Sequence, residues 1–230
     1  THNLIARLPG KNPDAGAVLV VAHWDHFGHC GDSIDTSQIC NGAVDNASGL
    51  AFVTELARIL ASGQRMDRDV YFLATTAEEW GLLGARAFAQ EPALPLTDIV
   101  AAFNVDSIAV APRGTSLSIL GRGLTNLDHD IESVARKMGR HVNGAGPEVQ
   151  YLRRQDVWAL LQRDVPTVAV SSAFSDPATL KDFIEHRYHK PADKMEAVEL
   201  GGAAQDLLLH VALIRHFADA GSWAGNISTE

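Results

Sequence analysis

Two patterns of hydrophobic and polar positions alternate along the chain. Short apolar runs rich in β-branched residues, typical of buried parallel strands, cover residues 4–8, 17–22, 70–75, 99–105, 117–120 and 165–170. Stretches with apolar residues at helical spacing cover residues 50–61, 79–90, 126–138, 156–162 and 198–217. This alternation predicts an α/β fold, a three-layer sandwich in which helices flank a mostly parallel central sheet.

The composition narrows the class of protein. A chain of 230 residues suits one domain, and we expect a single catalytic domain over residues 1–230. With 46% hydrophobic and 20% charged residues, the chain can bury a large core. The formal charge of −9, without any basic cluster, argues against a nucleic-acid partner. No apolar run approaches the roughly 18 residues needed to span a membrane.

The two cysteines, Cys30 and Cys40, flank a polar loop. A disulfide between them would close this loop and imply an oxidising compartment, so we expect an exported protein, periplasmic or secreted. Reduced thiols or soft metal ligation are the alternatives. The chain opens directly on Thr1 without a signal peptide, which is expected of a trimmed or processed form and says little about export.

Side chains that can bind metal stand where the predicted strands end. His23 follows the strand at 17–22, Glu78 and Glu79 follow the strand at 70–75, and Asp106 follows the strand at 99–105. Open α/β sheets bind ligands at the carboxyl ends of their strands, so these side chains should meet in one crevice. Two imidazoles and three carboxylates suit a pair of zinc ions; the full set is His23, Asp45, Glu79, Asp106 and His189.

Each of these residues also has a structural explanation when it is taken alone. Asp45 could cap the helix that follows it. Glu78 and Glu79 could favour a helix N-terminus through its dipole, and His23 could be a hydrogen-bonded core histidine. Taken together, however, so many acids and imidazoles at strand ends would leave unpaired buried charges unless a metal neutralised them.

Five local motifs occur in a fixed order along the chain. They are Ala22-His-Trp-Asp25, Asn41-Gly-Ala-Val-Asp-Asn-Ala-Ser-Gly49, Ala77-Glu-Glu-Trp-Gly-Leu-Leu-Gly-Ala85, Phe103-Asn-Val-Asp106 and Tyr188-His-Lys-Pro-Ala-Asp193. In this order and spacing the chain closely resembles the co-catalytic zinc aminopeptidase family, which includes bacterial leucyl-type aminopeptidases and glutamate carboxypeptidase II. The resemblance runs from Asn3 to the last predicted helix.

The resemblance implies a ligand set for two zinc ions per chain. Asp45 would bridge the two ions. His23 and Asp106 would complete one zinc site, and Glu79 and His189 would complete the other. Cobalt or manganese could occupy the same set of ligands.

Glu78 and Asp25 would complete the catalytic centre. In the family, the residue at the position of Glu78 is the general base, which takes a proton from water and passes it to the leaving amine. Asp25 would accept the far ring N–H of His23 and so fix the tautomer of that ligand. The plainer interpretation of Asp25 is a solvated loop acid.

Three further polar residues lie in or near these motifs. Asp193 could support His189 as Asp25 supports its histidine. His26 and His29 lie close to the first motif, but loop histidines of this kind are usually solvated or lie behind the ligands, and neither is assigned to the metal.

The chain departs from the family pattern at Arg154-Gln-Asp-Val-Trp158. Many relatives have a Ser-Asp-His stretch there, and only the aspartate is kept. We expect Asp156 either to shape the substrate pocket or to cap a helix. Tyr151 could donate to the oxyanion, or it could pack at the edge of the core. Substrate choice should depend on this region.

The resemblance implies a zinc-dependent exopeptidase whose partner is a peptide substrate, and we expect an aminopeptidase. A carboxypeptidase or dipeptidase could use the same metals, whereas a glutaminyl cyclase would use only one zinc. From a different class, the fold also serves as a non-catalytic receptor or scaffold domain, which should have lost ligands or the base. A two-metal sugar or phosphate hydrolase lacks support, because no phosphate-cradling glycine loop or arginine cluster is present.

Overall fold

Eight strands and seven helices are described in the computed structural model, which covers residues 1–30, 38–144 and 149–225. The strands are β1 (Leu4–Leu8), β2 (Ala17–His23), β3 (Gly28–His29), β4 (Ile39–Cys40), β5 (Asp69–Thr75), β6 (Ile99–Asn104), β7 (Ser118–Leu120) and β8 (Thr167–Ser171). The helices are α1 (Gly49–Ser62), α2 (Leu83–Gln90), α3 (Asp128–Lys137), α4 (Val149–Leu152), α5 (Val157–Leu161), α6 (Pro177–His186) and α7 (Leu200–Ala218). Within these ranges no helix combines the length and apolar composition needed to cross a bilayer.

Six strands form the central sheet in the order β1–β5–β2–β6–β8–β7. The four inner strands are parallel, and the two edge strands, β1 and β7, are antiparallel to their neighbours. Strand β2 is buried along all seven residues because both faces of the sheet are covered. The predicted α/β fold with a mostly parallel sheet is therefore confirmed.

Alternate residues of β2 pack into two separate cores. Val18 and Val20 face the larger core, to which α1, α3 and α7 contribute, whereas Leu19 and Val21 face the core beneath α2 and α5. This period-two alternation between opposite faces is what a strand requires. The helices therefore form one layer on each side of the sheet, which gives the three layers expected from the sequence.

The register of the sheet aligns the carboxyl ends of its central strands. His23 at the end of β2 lies opposite Thr75 at the end of β5. On the other side of β2, Val21 pairs with Asn104 of β6, so Asp106 follows β6 at the level of His23. Residues that directly follow these three strands consequently meet at one edge of the sheet.

The start of α2 differs from the sequence prediction. The predicted helix over residues 79–90 begins only at Leu83, because the backbone turns through left-handed conformations at Gly81 (φ 97°) and Leu82 (φ 61°). The amide groups of both residues donate to the Glu78 carbonyl in this turn. The Glu78–Glu79 pair therefore lies in a strand-to-helix loop rather than in the first turn of a helix.

Helix α6 covers Pro177–His186, a segment that is not among the helices predicted from the apolar spacing. Asp176 caps this helix by accepting hydrogen bonds from the amides of Ala178 and Thr179, and Pro177 occupies its first turn. An aspartate cap followed by proline is a recognised helix start, so the signal was present in the sequence.

Candidate metal centre

The five residues predicted to bind metal come together at the carboxyl edge of the sheet, with Asp45 at the centre. Its Oδ1 atom lies 3.1 Å from His23 Nε2, and its Oδ2 atom lies 3.1 Å from His189 Nε2. His23 Nε2 is also 3.5 Å from Asp106 Oδ1, and His189 Nε2 is 3.0 Å from Glu79 Oε2. Two groups of ligand atoms therefore share one carboxylate.

Several of these atoms are buried and form no hydrogen bond with the described residues. They are His23 Nε2, His189 Nε2 and Asp45 Oδ2. An unpaired buried polar atom costs free energy unless something else satisfies it. Imidazole nitrogens and carboxylate oxygens that converge in this way are the ligand types zinc prefers, and His23, Asp45 and Asp106 have ligand atoms within 4.8 Å of one another. The residues therefore fit a zinc centre.

The loop that carries Asp45 is held from two sides. The Asp193 carboxylate accepts hydrogen bonds from the amides of Val44 (2.9 Å) and Asp45 (3.1 Å). Asn46, joined to Asp45 by a cis peptide bond, donates through Nδ2 to the Val105 carbonyl at the end of β6 (3.0 Å). Asp193 thus anchors the loop that carries Asp45.

Asp25 acts on the neighbouring loop more than on His23. Its carboxylate accepts hydrogen bonds from the amides of Glu78 (3.1 Å) and Glu79 (3.4 Å). The closest acceptor for His23 Nδ1 is the main-chain oxygen of Asp25 at 3.1 Å, whereas the Asp25 carboxylate is 3.9 Å away. Because a carbonyl only accepts, Nδ1 carries the proton and Nε2 presents its lone pair to the ligand cluster.

The two adjacent glutamates point to different partners. The Glu79 carboxylate lies between His189 and His26, whose Nδ1 atom is 2.7 Å from Glu79 Oε1. Burial opposes ionisation of Glu79, but its contacts with the two histidines outweigh burial and lower its pKa. Glu78 is only 8% exposed. Burial, reinforced by the charge of Asp106, raises the pKa of Glu78 to about 10.

The histidines experience the excess of negative charge in the cluster. Burial alone would lower the pKa of His189, but the carboxylates of Asp45 and Glu79 outweigh it and raise the pKa to about 9. Burial likewise opposes protonation of His23, yet the nearby Asp106 and Asp45 carboxylates hold its pKa well above the usual value. The cluster therefore attracts positive charge, whether as protons or as metal ions.

Comparison with known proteins identifies the family. The model of peptidase family M28 matches residues 3–212, nearly the whole chain. The chain belongs to peptidase family M28. The resemblance to a zinc metallopeptidase family, inferred from the order of the motifs, is therefore confirmed.

Individual M28 relatives and solved structures agree with this assignment. A vacuolar membrane protease of Clavispora lusitaniae is 25% identical over 240 residues, covering 94% of this chain and 22% of that protein. The zinc aminopeptidase BSAP of Bacillus subtilis superposes with a TM-score of 0.72 at 24% identity, covering 96% of this chain and 51% of that chain. A glutaminyl cyclase of Porphyromonas gingivalis has a TM-score of 0.66 at 17% identity, covering 91% and 76%. The two superpositions show a shared fold.

The chain is shorter than these M28 relatives. It spans about a fifth of the Clavispora protein and about half of the Bacillus enzyme. What this chain shares with them is the domain that carries the ligand cluster.

A cleft opens beside the M28 ligand cluster at Asp106. Tyr151 lies in its wall together with Arg154 and Tyr188, and it also packs against the core cluster that includes Phe174. The remaining wall is largely apolar and is formed by Phe174, Leu180, Phe183 and Ile184. Tyr188 stacks on the His189 ring at 3.7 Å between ring centroids and so connects the cleft wall to the ligand cluster.

Asp156 lies below this cleft instead of in its wall. It is fully buried and accepts a hydrogen bond from Thr75 at the end of β5. Asp156 occupies the N-cap position of α5, but its side chain makes no capping hydrogen bond there. Burial raises its pKa to about 6. The structure places Asp156 within the acidic interior behind the cluster.

Cys30 and Cys40 form a disulfide, with their Cα atoms 5.6 Å apart. The bond joins the ends of the short antiparallel pair β3–β4. Residues 31–37, which lie between the two cysteines, are outside the described ranges. The disulfide ties the segment after His26 to the segment before Asp45.

Two contributors to the centre, His26 and Tyr188, were not assigned from the sequence. His26 was left out as an ordinary loop histidine, although it contacts Glu79. Tyr188 belongs to the motif that contains His189, but the sequence alone assigns it no role. For His26 the only sequence signal was its closeness to His23; for Tyr188 it was its position next to His189.

Proposed function

We propose that the chain is an aminopeptidase that binds two zinc ions and removes N-terminal residues from peptides. The observation that carries the proposal is the position of Asp45, whose two carboxylate oxygens each lie 3.1 Å from a different histidine. A carboxylate so placed is suited to bridging two metal ions. His23 and Asp106 would hold one zinc, and Glu79 and His189 the other.

Zinc, when bound, supplies positive charge that acidifies water and polarises the scissile carbonyl. Glu78 supplies the proton transfer. Its carboxylate is buried near Asp106, and burial together with the charge of Asp106 raises its pKa. In its ionised form, which positive charge bound in the cluster would favour, the carboxylate can take a proton from the attacking water and deliver it to the nitrogen of the leaving peptide. Asp25 keeps Glu78 in place through the Glu78 amide.

The charge of the site supports aminopeptidase activity. Asp106 belongs to the lining of the cleft, so a carboxylate borders the space that the N-terminal residue would occupy, and a peptide's free α-amine is positively charged near neutral pH. The side chain of the N-terminal residue would enter the cleft beside Asp106, where aromatic and aliphatic residues form the wall. This arrangement favours substrates with an apolar N-terminal residue.

A carboxypeptidase or dipeptidase is the second candidate, and one residue favours it. Arg154 is a cation in the cleft wall, and its guanidinium donates to the Tyr188 hydroxyl at 3.2 Å. A guanidinium can bind a C-terminal carboxylate. A non-catalytic role is disfavoured because all five ligands and Glu78 are present. The Cys30–Cys40 disulfide supports the further proposal that the protein is exported to an oxidising compartment.

Cleavage of a peptide library tests the proposal. Zinc-loaded protein is incubated with peptides supplied free, N-acetylated or C-amidated, and products are read by mass spectrometry beside a chelator-treated control. Loss of single N-terminal residues from free and C-amidated peptides, but not from N-acetylated ones, is expected. Loss of C-terminal residues that amidation blocks would favour the carboxypeptidase. Absence of any chelator-sensitive cleavage would contradict both.

Substitution of Glu78 separates its role from metal binding. We expect Glu78→Gln to keep both zinc ions and to lose nearly all turnover, because general base catalysis contributes about 10²–10⁴-fold. Glu79→Gln, the matched change one residue away, should instead lose zinc. Zinc content and turnover are measured on both variants. Normal turnover in Glu78→Gln would show that another group is the base.

A further inference from the structure

His26 contacts a proposed zinc ligand without belonging to the ligand set implied by the family. Its Nδ1 atom lies 2.7 Å from Glu79 Oε1, while the other oxygen, Oε2, lies 3.0 Å from His189 Nε2. The two oxygens of Glu79 are therefore divided between His26 and the ligand cluster. We propose that His26 is a positioning residue that orients the Glu79 carboxylate for the second zinc ion.

The His26 ring is held in place by its surroundings. Its side chain is only 10% exposed, and its ring packs edge-on against Phe27 (5.4 Å) and His189 (5.9 Å). Gly42 passes so close that a Cβ atom there would lie 2.6 Å from His26 Cγ. A ring confined in this way presents Nδ1 to Glu79 in one orientation.

The direction of the hydrogen bond follows from the chemistry of the pair. An ionised carboxylate only accepts, so His26 Nδ1 carries the proton and donates to Glu79. A donor engaged with Oε1 stops the carboxylate from rotating and leaves Oε2 directed at His189 and Asp45. Contacts of this kind behind a metal ligand are typically worth 10–100-fold in metal affinity.

Direct binding of zinc by His26 is the competing role. Its ligand atoms lie within 4.8 Å of those of Asp45 and Glu79, and its Nε2 is buried without a partner among the described residues. The 2.7 Å contact commits Nδ1 to Glu79, so a ligand role would have to use Nε2, and the experiment below distinguishes that role from positioning. This proposal rests on the proposed function, in which Glu79 is a zinc ligand.

Zinc affinity, measured by competition with a chromophoric chelator, tests the proposal at each of the two sites. His26→Phe keeps an aromatic ring but removes the hydrogen-bond donor. This variant should lower the zinc affinity of one of the two sites by about 10–100-fold and leave the affinity of the other site unchanged. His26→Asn places an amide N–H near the position of Nδ1 and should recover most of the lost affinity. His29→Ala changes an exposed histidine three residues away and should have wild-type affinity.

Three results would overturn the positioning role. Wild-type affinity at both sites in His26→Phe would show that the contact does not matter to the metal. Equal losses in His26→Phe and His26→Asn, together with more than one imidazole per zinc in X-ray absorption spectra of the wild type, would make His26 a ligand. A wild-type chain that binds no zinc would defeat the proposed function as well, whereas the first two results would leave that function intact.

Discussion

The two halves of the ligand cluster are built differently. One half, the strand half, consists of His23 and Asp106, which end or closely follow the neighbouring strands β2 and β6. The other, the loop half, consists of Glu79 in the β5–α2 loop and His189 after α6. Asp45 belongs to both. The His23 side chain is 2% exposed, whereas that of His189 is 28% exposed.

The difference lies in what holds each half. The strand half takes its geometry from the hydrogen-bonded register of the sheet, which is difficult to displace. The loop half depends on side-chain contacts, with Asp25 bonded to the Glu79 amide, His26 against the Glu79 carboxylate, and Phe27 and Tyr188 packed on the His189 ring. Substitutions around the loop half should therefore change metal affinity with little effect on folding.

Removal of the shared ligand should have the largest effect. We expect Asp45→Ala to weaken both zinc sites by more than about 100-fold, beyond what loss of an outer contact produces. Zinc content after gel filtration, measured by mass spectrometry, reports the result, with Asp98→Asn as a control because this exposed aspartate precedes β6 at the opposite end of the strand. A variant that keeps one zinc at wild-type affinity would show that Asp45 serves only one half.

The contrast between the halves also explains which parts could be predicted from sequence. Apolar runs identify the buried strands, and parallel strands bring their carboxyl ends together, so the positions of His23 and Asp106 followed from local pattern. The contact of Asp193 with the Asp45 amide joins residues 148 positions apart and has no local signal. His26 meets Glu79 only because two loops cross the same edge.

Local backbone geometry accounts for the other differences. The helix that was predicted to begin at Glu79 begins at Leu83, because residues in left-handed conformations precede it. The apolar periodicity of residues 79–90 does not indicate these conformations. The missed helix α6 had a capping signal, Asp176 before Pro177, that periodicity alone did not reveal. The hydrophobic pattern therefore predicted the layers of the fold better than the loops. Since Glu79 and His189 both lie in loops, their half of the centre was the harder one to predict.

Matched histidine substitutions separate the halves. We expect His189→Gln to lose one zinc and, at a pH above 9 where the histidine carries no proton, to change the free energy of unfolding of the chelated protein little, because its ring is partly exposed. His23→Gln should lose one zinc and also destabilise the chelated protein by roughly 1–3 kcal/mol, because it disturbs a buried hydrogen-bonded group. Urea unfolding and zinc content test both. Equal destabilisation by the two variants would remove the proposed difference in support.

The free energy of unfolding of the chelated protein should depend on pH through His189, which belongs to the loop half. The pKa of His189 is raised to about 9, so its contribution to stability is complete below its unfolded value of about 6.5 and is lost as pH rises toward 9. Zinc competes with that proton, so zinc affinity should rise over the same interval, by less than about tenfold per pH unit for this one group. In His189→Gln the part of the pH dependence due to this histidine should disappear. An unchanged profile in that variant would assign the titration to other groups.

The anchoring of Asp45 by Asp193 should give the smallest effect. In Asp193→Asn, one amide oxygen can still accept, but the second backbone N–H at Val44 or Asp45 faces an NH₂ group. The free energy of unfolding should fall by about 1–3 kcal/mol, the cost of one unsatisfied buried group. Because Asp45 is shared, both zinc affinities should fall together, and by less than in Asp45→Ala. A loss confined to one zinc site would mean that Asp193 acts on only one half, and the bridging aspartate would then have to be held for the other half by Asn46 and the end of β6.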